Sequence, residues 1–228
     1  MKITPEKSSV SIVLVGSMNS LIFRPGWFAK NGLISETEAE AAEIEVIHKE
    51  LTLFKLDWCS IRVEPTRFVI DSEDAPFIRI SDLAVRTFKE FLVHTPVTML
   101  GINRVVSFDA GSDEARDKIG NVLAPKQPWG DWAADLEKGN GPARGGMRSL
   151  TMQQTVVDDG REEGWTRAKI EPSMHSAFGI YMEVNDHFQL KELDSVSGAE
   201  PVVTMLEGGF EESIRRSEWI IQQIMDLI

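Results

Sequence analysis

A nine-residue stretch that occurs twice constrains the fold of this chain more than any other feature. Trp58-Cys59-Ser60-Ile61-Arg62-Val63-Glu64-Pro65-Thr66 returns as Trp165-Thr166-Arg167-Ala168-Lys169-Ile170-Glu171-Pro172-Ser173. Both copies read Trp, three variable positions, a base, a β-branched residue, Glu-Pro and a hydroxyl residue. In a strand, successive side chains point to opposite faces. Cys59, Ile61 and Val63 therefore share one face, as do Thr166, Ala168 and Ile170, and these small or apolar sets suit packing beneath helices. Trp58, Ser60, Arg62 and Glu64 fall on the other face, matched by Trp165, Arg167, Lys169 and Glu171. The proline that closes each copy ends the ladder and starts a turn.

The elements around the two copies come in the same order. The run Ile12-Val13-Leu14-Val15 lacks polar alternation and predicts a strand over 10–16 buried on both faces. A short helix at 27–32 follows, then one over 36–43 that opens on Ser35 with Glu38 three residues later. Strands are expected at 43–54, 57–64 and 67–72. Phe77, Ile80, Leu83, Ala84, Phe88, Phe91 and Leu92 then mark one face of a helix over 79–93. The second half offers a strand at 97–108, a helix at 112–123 and strands at 146–157, 163–171 and 176–185. Asp158-Asp159-Gly160 is the turn between the first two of these, and a last helix covers 207–227.

Each half thus reads β-α-β-β-β-α. The prediction is an α+β chain forming a single domain, 1–228, of two structural repeats at about 1–97 and 98–228. Their strands would join in one curved antiparallel sheet with helices on one face. The TATA-binding-protein-like saddle and the helix-grip fold share this order of elements, which carries no function with it. Gly16 and Gly101 are expected to be equivalent, with Asn19 and Asn103 following them at matching places.

One segment breaks the match. Residues 124–145 have no counterpart in the first half, and they hold Lys126-Gln127-Pro128-Trp129-Gly130-Asp131-Trp132 and Arg144, with Arg148 just beyond. A long loop rich in Trp and Arg inside a compact chain is a candidate binding element; the competing expectation is that Trp129 and Trp132 fold back over one end of the core.

Composition excludes more than it assigns. A formal net charge of −12 repels phosphate, so nucleic acid and anionic membranes are disfavoured as partners. The lone Cys59 forbids an intramolecular disulfide and any Cys-rich metal site. His48, His94, His175 and His187 are scattered, without an HExxH spacing. No G-x-S-x-G, GxxxxGK[ST] or GxGxxG occurs, and neither a cofactor nor a metal is expected. No apolar run reaches the length of a membrane span, and a cytoplasmic location is the expectation.

The candidate binding residues are Trp58, Arg62, Trp165, Arg167 and Lys169 from the repeat, and Trp129, Trp132, Arg144 and Arg148 in and beside the inserted segment. Asn103 and Arg104 join them from a strand unusually rich in polar residues. Three readings compete. The first is a non-enzymatic protein that binds a protein partner, or a second copy of itself, through the open sheet face and the Trp129/Trp132 loop. The second is a small-molecule module with a pocket between the sheet and the last helix. The third is an enzyme with a polar site at Asn103, Arg104 and Arg148. Cross-strand ion pairs and Trp–Arg stacking are also ordinary on an exposed sheet, and the repeat alone does not demand a ligand.

The early VLVG strand, RPGWF, HTPV-x-x-LGINR, LAPK-x-x-W and G-x-RSLT together resemble a sporadically distributed group of uncharacterised bacterial proteins of about this size. The resemblance spans most of the chain and brings no activity, cofactor or catalytic residue. The patchy distribution of that group implies accessory genes, defence islands among them.

Overall fold

The computed structural model describes residues 4–138, 145–155, 163–191 and 197–228. The chain opens with β1 (Lys7–Gly16), α1 (Pro25–Lys30) and α2 (Glu36–Ala41). Four strands follow, β2 (Glu43–His48), β3 (Leu51–Leu56), β4 (Cys59–Glu64) and β5 (Arg67–Ser72), and then α3 (Ile78–Arg86), which runs on as a π-helical turn over Thr87–Phe91. The second part holds β6 (Val97–Asp109), α4 (Asp113–Leu123), a single 3-10 turn at Gln127–Trp129 and α5 (Asp131–Leu136). It finishes with β7 (Leu150–Thr155), β8 (Glu163–Pro172), β9 (Gly179–Gln189) and α6 (Glu200–Met225).

All nine strands among the described residues form one curved, unclosed antiparallel sheet in the order β2-β3-β4-β5-β1-β6-β9-β8-β7. The expected α+β architecture holds. Bounds shift by a few residues in several elements, β9 running to Gln189 where a strand at 176–185 was expected, and three differences change the elements themselves. The strand expected at 43–54 is a hairpin, because the charged pair Lys49-Glu50 makes a tight turn between β2 and β3. Among the described residues β2 therefore has no counterpart in the second half. The inserted segment is partly helical, with Gly130 separating the 3-10 turn from α5. Finally, α6 starts at Glu200 rather than near 207, since Pro201 sits in its first turn, where no amide hydrogen is needed. The turn expected at Asp158-Asp159-Gly160 lies outside the described residues.

The ladders relate the two Trp stretches to the central strands. Ile61 aligns through Ile70 with Ile12. Its counterpart in the repeat, Ala168, aligns through Val184 with Arg104. By this register Ile12 corresponds to Arg104 and Ser11 to Asn103, and Ser11 faces Asn103 directly in the central β1–β6 pair. Gly16 and Gly101, expected at equivalent places, sit differently in the sheet. Gly16 lies at a bulge where a Cβ would stand 2.0 Å from the Pro96 carbonyl oxygen, whereas Gly101 lies in mid-strand opposite Val13. Two glycines serve two different needs.

Every helix with a buried face packs on the same side of the sheet. Val10, Ile12, Leu14, Ile61, Phe68, Ile70, Leu100 and Ile102 point to that side and meet Phe28 of α1, Ile80 and Leu83 of α3, and Val203, Leu206 and Phe210 of α6. A second cluster joins Val106, Phe108, Ile170, Ile180, Met182 and Val184 to Ile119 of α4 and Ile221 and Met225 of α6. Between the two clusters runs a buried polar seam. Asp186 accepts hydrogen bonds from Thr166 Oγ1 at 2.8 Å, from Ser213 Oγ and from Arg216 at 3.0 Å. Beside it, Arg104 lies 7% exposed.

The opposite side carries no helix among the described residues. Val13 and Val15 are half-buried there, so β1 is not covered on both faces as its apolar run suggested. The run reflects a central position in the sheet, where neighbouring strands shield even the open side.

Candidate functional site

The uncovered face holds a depression over β6, β9, β8 and β7. Its volume is about 430 Å³, and it is lined by Val13, Met99, Gly101, Asn103, Trp165, Arg167, Lys169, Asn185 and His187, with Thr151 and Glu183 at its rim. Gly101 forms part of its floor, since an added Cβ would stand 3.4 Å from Asn185 Nδ2. Strand alternation puts these residues on one face, and the ladders bring them together: Trp165 lies opposite His187 and Arg167 opposite Asn185.

At the centre is a stack. The Trp165 indole and the His187 ring lie 4.7 Å apart and nearly parallel, at 16°. The Arg167 guanidinium sits 4.1 Å from the indole centroid and donates to Gln153 Oε1 at 3.0 and 2.7 Å from Nε and Nη2. Both side chains of the pair hold Trp165 in one orientation. Asn185 donates to Asn103 Oδ1, and Asn103 donates onward to Ser11 Oγ at 3.1 Å. Lys169 is paired with Glu171 at 2.7 Å. The Tyr181 phenol donates to Glu183 at 3.1 Å, and burial together with the nearby carboxylates pushes it above its ordinary range. The surface is a pre-ordered aromatic and amide platform ringed by charges that already have partners.

The two copies of the repeat are not two copies of a site. Arg62 lies on the open face as expected, held by Glu64 at 2.7 Å, and Glu64 is shared with Arg67 at 2.8 Å. The two arginines hold the Glu64 carboxyl below its ordinary range. Trp58, however, precedes β4 and escapes its alternation. It packs against the first core cluster, donates its indole N–H to Glu38 of α2 at 2.9 Å and carries Arg79 of α3 4.1 Å over its ring. This is a correction to the open-face placement: Trp58 fastens helices, while Trp165 lines the depression on the open face.

The polar site expected at Asn103, Arg104 and Arg148 does not assemble. Asn103 and Arg104 are sequence neighbours on a strand and point to opposite faces. Arg104 lies under α6, donating to the Val105 and Ser9 carbonyls at 2.8 and 3.2 Å, with Glu218 3.8 Å away and the Phe77 ring beneath it. Arg148 lines a separate cleft of about 570 Å³ between α4 and the β8–β9 turn. Asn19 turns back on its own loop, accepting from the Leu21 amide at 3.2 Å.

In the inserted segment, Trp129 and Trp132 are 59% and 53% exposed and stack edge to face at 5.4 Å. They cover each other rather than the core. Arg144 lies outside the described residues. Arg62, on β4, is separated from Arg167 and Lys169, on β8, by four intervening strands, so these bases form no contiguous stripe. Among the described residues no group of three His, Cys, Asp or Glu side chains is placed to hold a metal ion. None of the described helices is long and apolar enough to cross a membrane.

Sequence reasoning missed His187, Asn185 and Gln153. His187 sits beside Asp186 in the chain, and nothing local in the sequence marks either as part of a site. Strand alternation separates them, sending Asp186 to the buried seam and His187 to the Trp165 stack. The signal was the two-residue period of β9, readable only once the register against β8 is known. A scan of the chain against protein-family models gave no match, and a search of curated proteins returned none.

Proposed function

We propose that the protein is a non-enzymatic, cytoplasmic binding module whose protein partner docks on the open sheet face over β6, β9, β8 and β7. The observation that carries this is the Trp165–His187–Arg167 stack, an ordered aromatic surface that lines a depression of about 430 Å³ on the open face. Hot spots of protein interfaces are enriched in Trp, Tyr and Arg set in such pockets. Here Gln153 already holds the arginine, so docking costs little side-chain entropy. Trp129 and Trp132 supply a second exposed aromatic pair.

The test compares capture of partners from the native cell by the wild-type chain, Trp165→Ala and a Trp129→Ala/Trp132→Ala double variant. A stoichiometric protein lost on Trp165→Ala, at unchanged melting temperature, supports the reading; a partner retained at full yield by both variants sinks it.

One observation favours a second reading. An apolar cavity of about 280 Å³ lies between the β7–β8 side of the sheet and the C-terminal half of α6, lined by Leu123, Leu150, Met152, Met182, Ile220 and Ile224. Its volume stands just under the range of about 300–1,000 Å³ typical of ligand pockets. A small apolar ligand there would raise the melting temperature in proportion to its concentration.

A further inference from the structure

The two edges of the sheet are built differently. β2, at one end, carries Glu43, Glu45 and His48 and is broken by a bulge between Ile44 and Val46. Charges and bulges are the usual means of keeping an edge strand from pairing with another chain. β7, at the other end, has none of these. Its sequence Leu-Thr-Met-Gln-Gln-Thr contains no charge and no proline, its pairing with β8 runs without a bulge, and Thr151 to Thr155 are all exposed. Its outer edge has no strand neighbour among the described residues.

Charge selects the occupant. In a chain of net charge −12, self-association is repelled wherever acid meets acid. A contact made by β7 against itself brings no charged residue of either strand together. Geometry agrees. A two-fold axis perpendicular to the sheet pairs identical strands antiparallel and keeps each face continuous, so residues on the helix side must meet residues on the helix side. The register in which Met152 meets its own copy satisfies this. It also apposes the most exposed apolar side chain of β7, 67% accessible. The apolar cavity lies directly inside Met152, and Trp219, one residue before Ile220, is 64% exposed on the same helix. Six residues of strand give about 20 Å of edge, and this flank adds the apolar area that a lone ladder lacks.

We propose that the protein forms a two-fold dimer in which β7 pairs antiparallel with β7 of a second copy, Met152 facing Met152. The proposal goes beyond partner binding on the open face and does not depend on it. Its consequence is that both open faces lie on one side of a continuous double sheet, presenting two Trp165 stacks to the same partner surface.

Sedimentation equilibrium and oxidative cross-linking test it. Wild-type chain is expected as a dimer at ~10 μM. Met152→Lys sets like charges opposite one another and should raise the dissociation constant at least ~10-fold; because Met152 is exposed, the variant keeps its circular dichroism. In a Cys59→Ala background, Met152→Cys should cross-link on oxidation, since directly opposed Cβ atoms stand about 4.5–5.5 Å apart. Gln153→Cys, whose copy falls diagonally about 8 Å away, should not. Trp165→Ala leaves the dimer intact and so separates this proposal from the preceding one. A chain that stays monomeric at ~100 μM, whether β7 takes a strand from another protein or none, overturns the proposal. So does a dimer indifferent to Met152→Lys, or one cross-linked by Gln153→Cys alone.

Discussion

At the scale of single residues, the open face combines side chains at ease with one that is not. Glu64 and Lys169 have opposite charges within 2.8 Å. Asp71, on β5 between Ser60 and Ser11, is different. Burial, reinforced by Glu73, raises its carboxyl above the ordinary value of 3.8 despite a hydrogen bond from Ser60. A carboxyl raised on folding ionises at greater cost in the folded than in the unfolded chain. Its contribution to stability is therefore least favourable at neutral pH and improves as pH falls through the folded value. Asp71→Asn keeps the contact with Ser60 and removes the cost, so the variant should be more stable than wild type at pH 7 by about 0.5–1 kcal/mol. The advantage should vanish below pH 3.8, where wild-type Asp71 is protonated in both states. Urea denaturation at both pH values measures this, and an equal advantage at both would mean that the carboxyl is not the cause. Cys59 is the other displaced group. Burial pushes its thiol up to about 12, in keeping with a core filler and not a nucleophile.

At the scale of elements, the polar seam shows how much the sequence could and could not reveal. The strand and helix periods of β4, β8, α3 and α4 were plain in the residues, because each follows from local alternation or a local cap such as Ser112 Oγ accepting from the Ala115 amide at 3.1 Å. The β2–β3 turn was not plain, since Lys49-Glu50 carries no glycine, proline or asparagine to announce it. Nor was the split of Trp58 from Trp165, which depends on β4 beginning one residue after its tryptophan. Half of the candidate site, Trp165, Arg167, Lys169 and Asn103, was legible from alternation; its partners on β7 and β9 required registers set across long connections. The seam lies furthest from local signals. It draws Thr166 from β8, Asp186 from β9 and Ser213 and Arg216 from α6, and Asp186 lies 20, 27 and 30 residues from the three groups that bind it. Asp186 is fully buried. Asp186→Ala would leave Thr166 and Ser213 without their acceptor and Arg216 without this carboxylate, a loss of about 3 kcal/mol or more. Asp186→Asn, which retains an acceptor, should lose less. If urea midpoints for the alanine variant match wild type, α6 is not fastened here.

At the scale of the whole molecule, the question is whether two core clusters divided by a polar seam unfold as one. A chain of this length often populates intermediates, and the seam is the natural place for a break. Two features argue against stepwise loss. The β1–β6 pair runs unbroken from Lys7–Ser107 to Val15–Met99 and joins the halves at the middle of the sheet. α6 seats Phe210 in the first cluster and Ile221 and Met225 in the second, so releasing either cluster strips apolar surface from the other end of the same helix. Trp27 and Trp58 report on the first cluster and Trp165 on the strand beside the second. The expected result is a single urea transition with the same midpoint by tryptophan fluorescence and by far-ultraviolet circular dichroism. Asp186→Ala supplies the harder form of the test. If α6 couples the clusters by spanning them, weakening the seam lowers both midpoints together; if the seam itself is the coupling, the variant shows two separated transitions while wild type shows one.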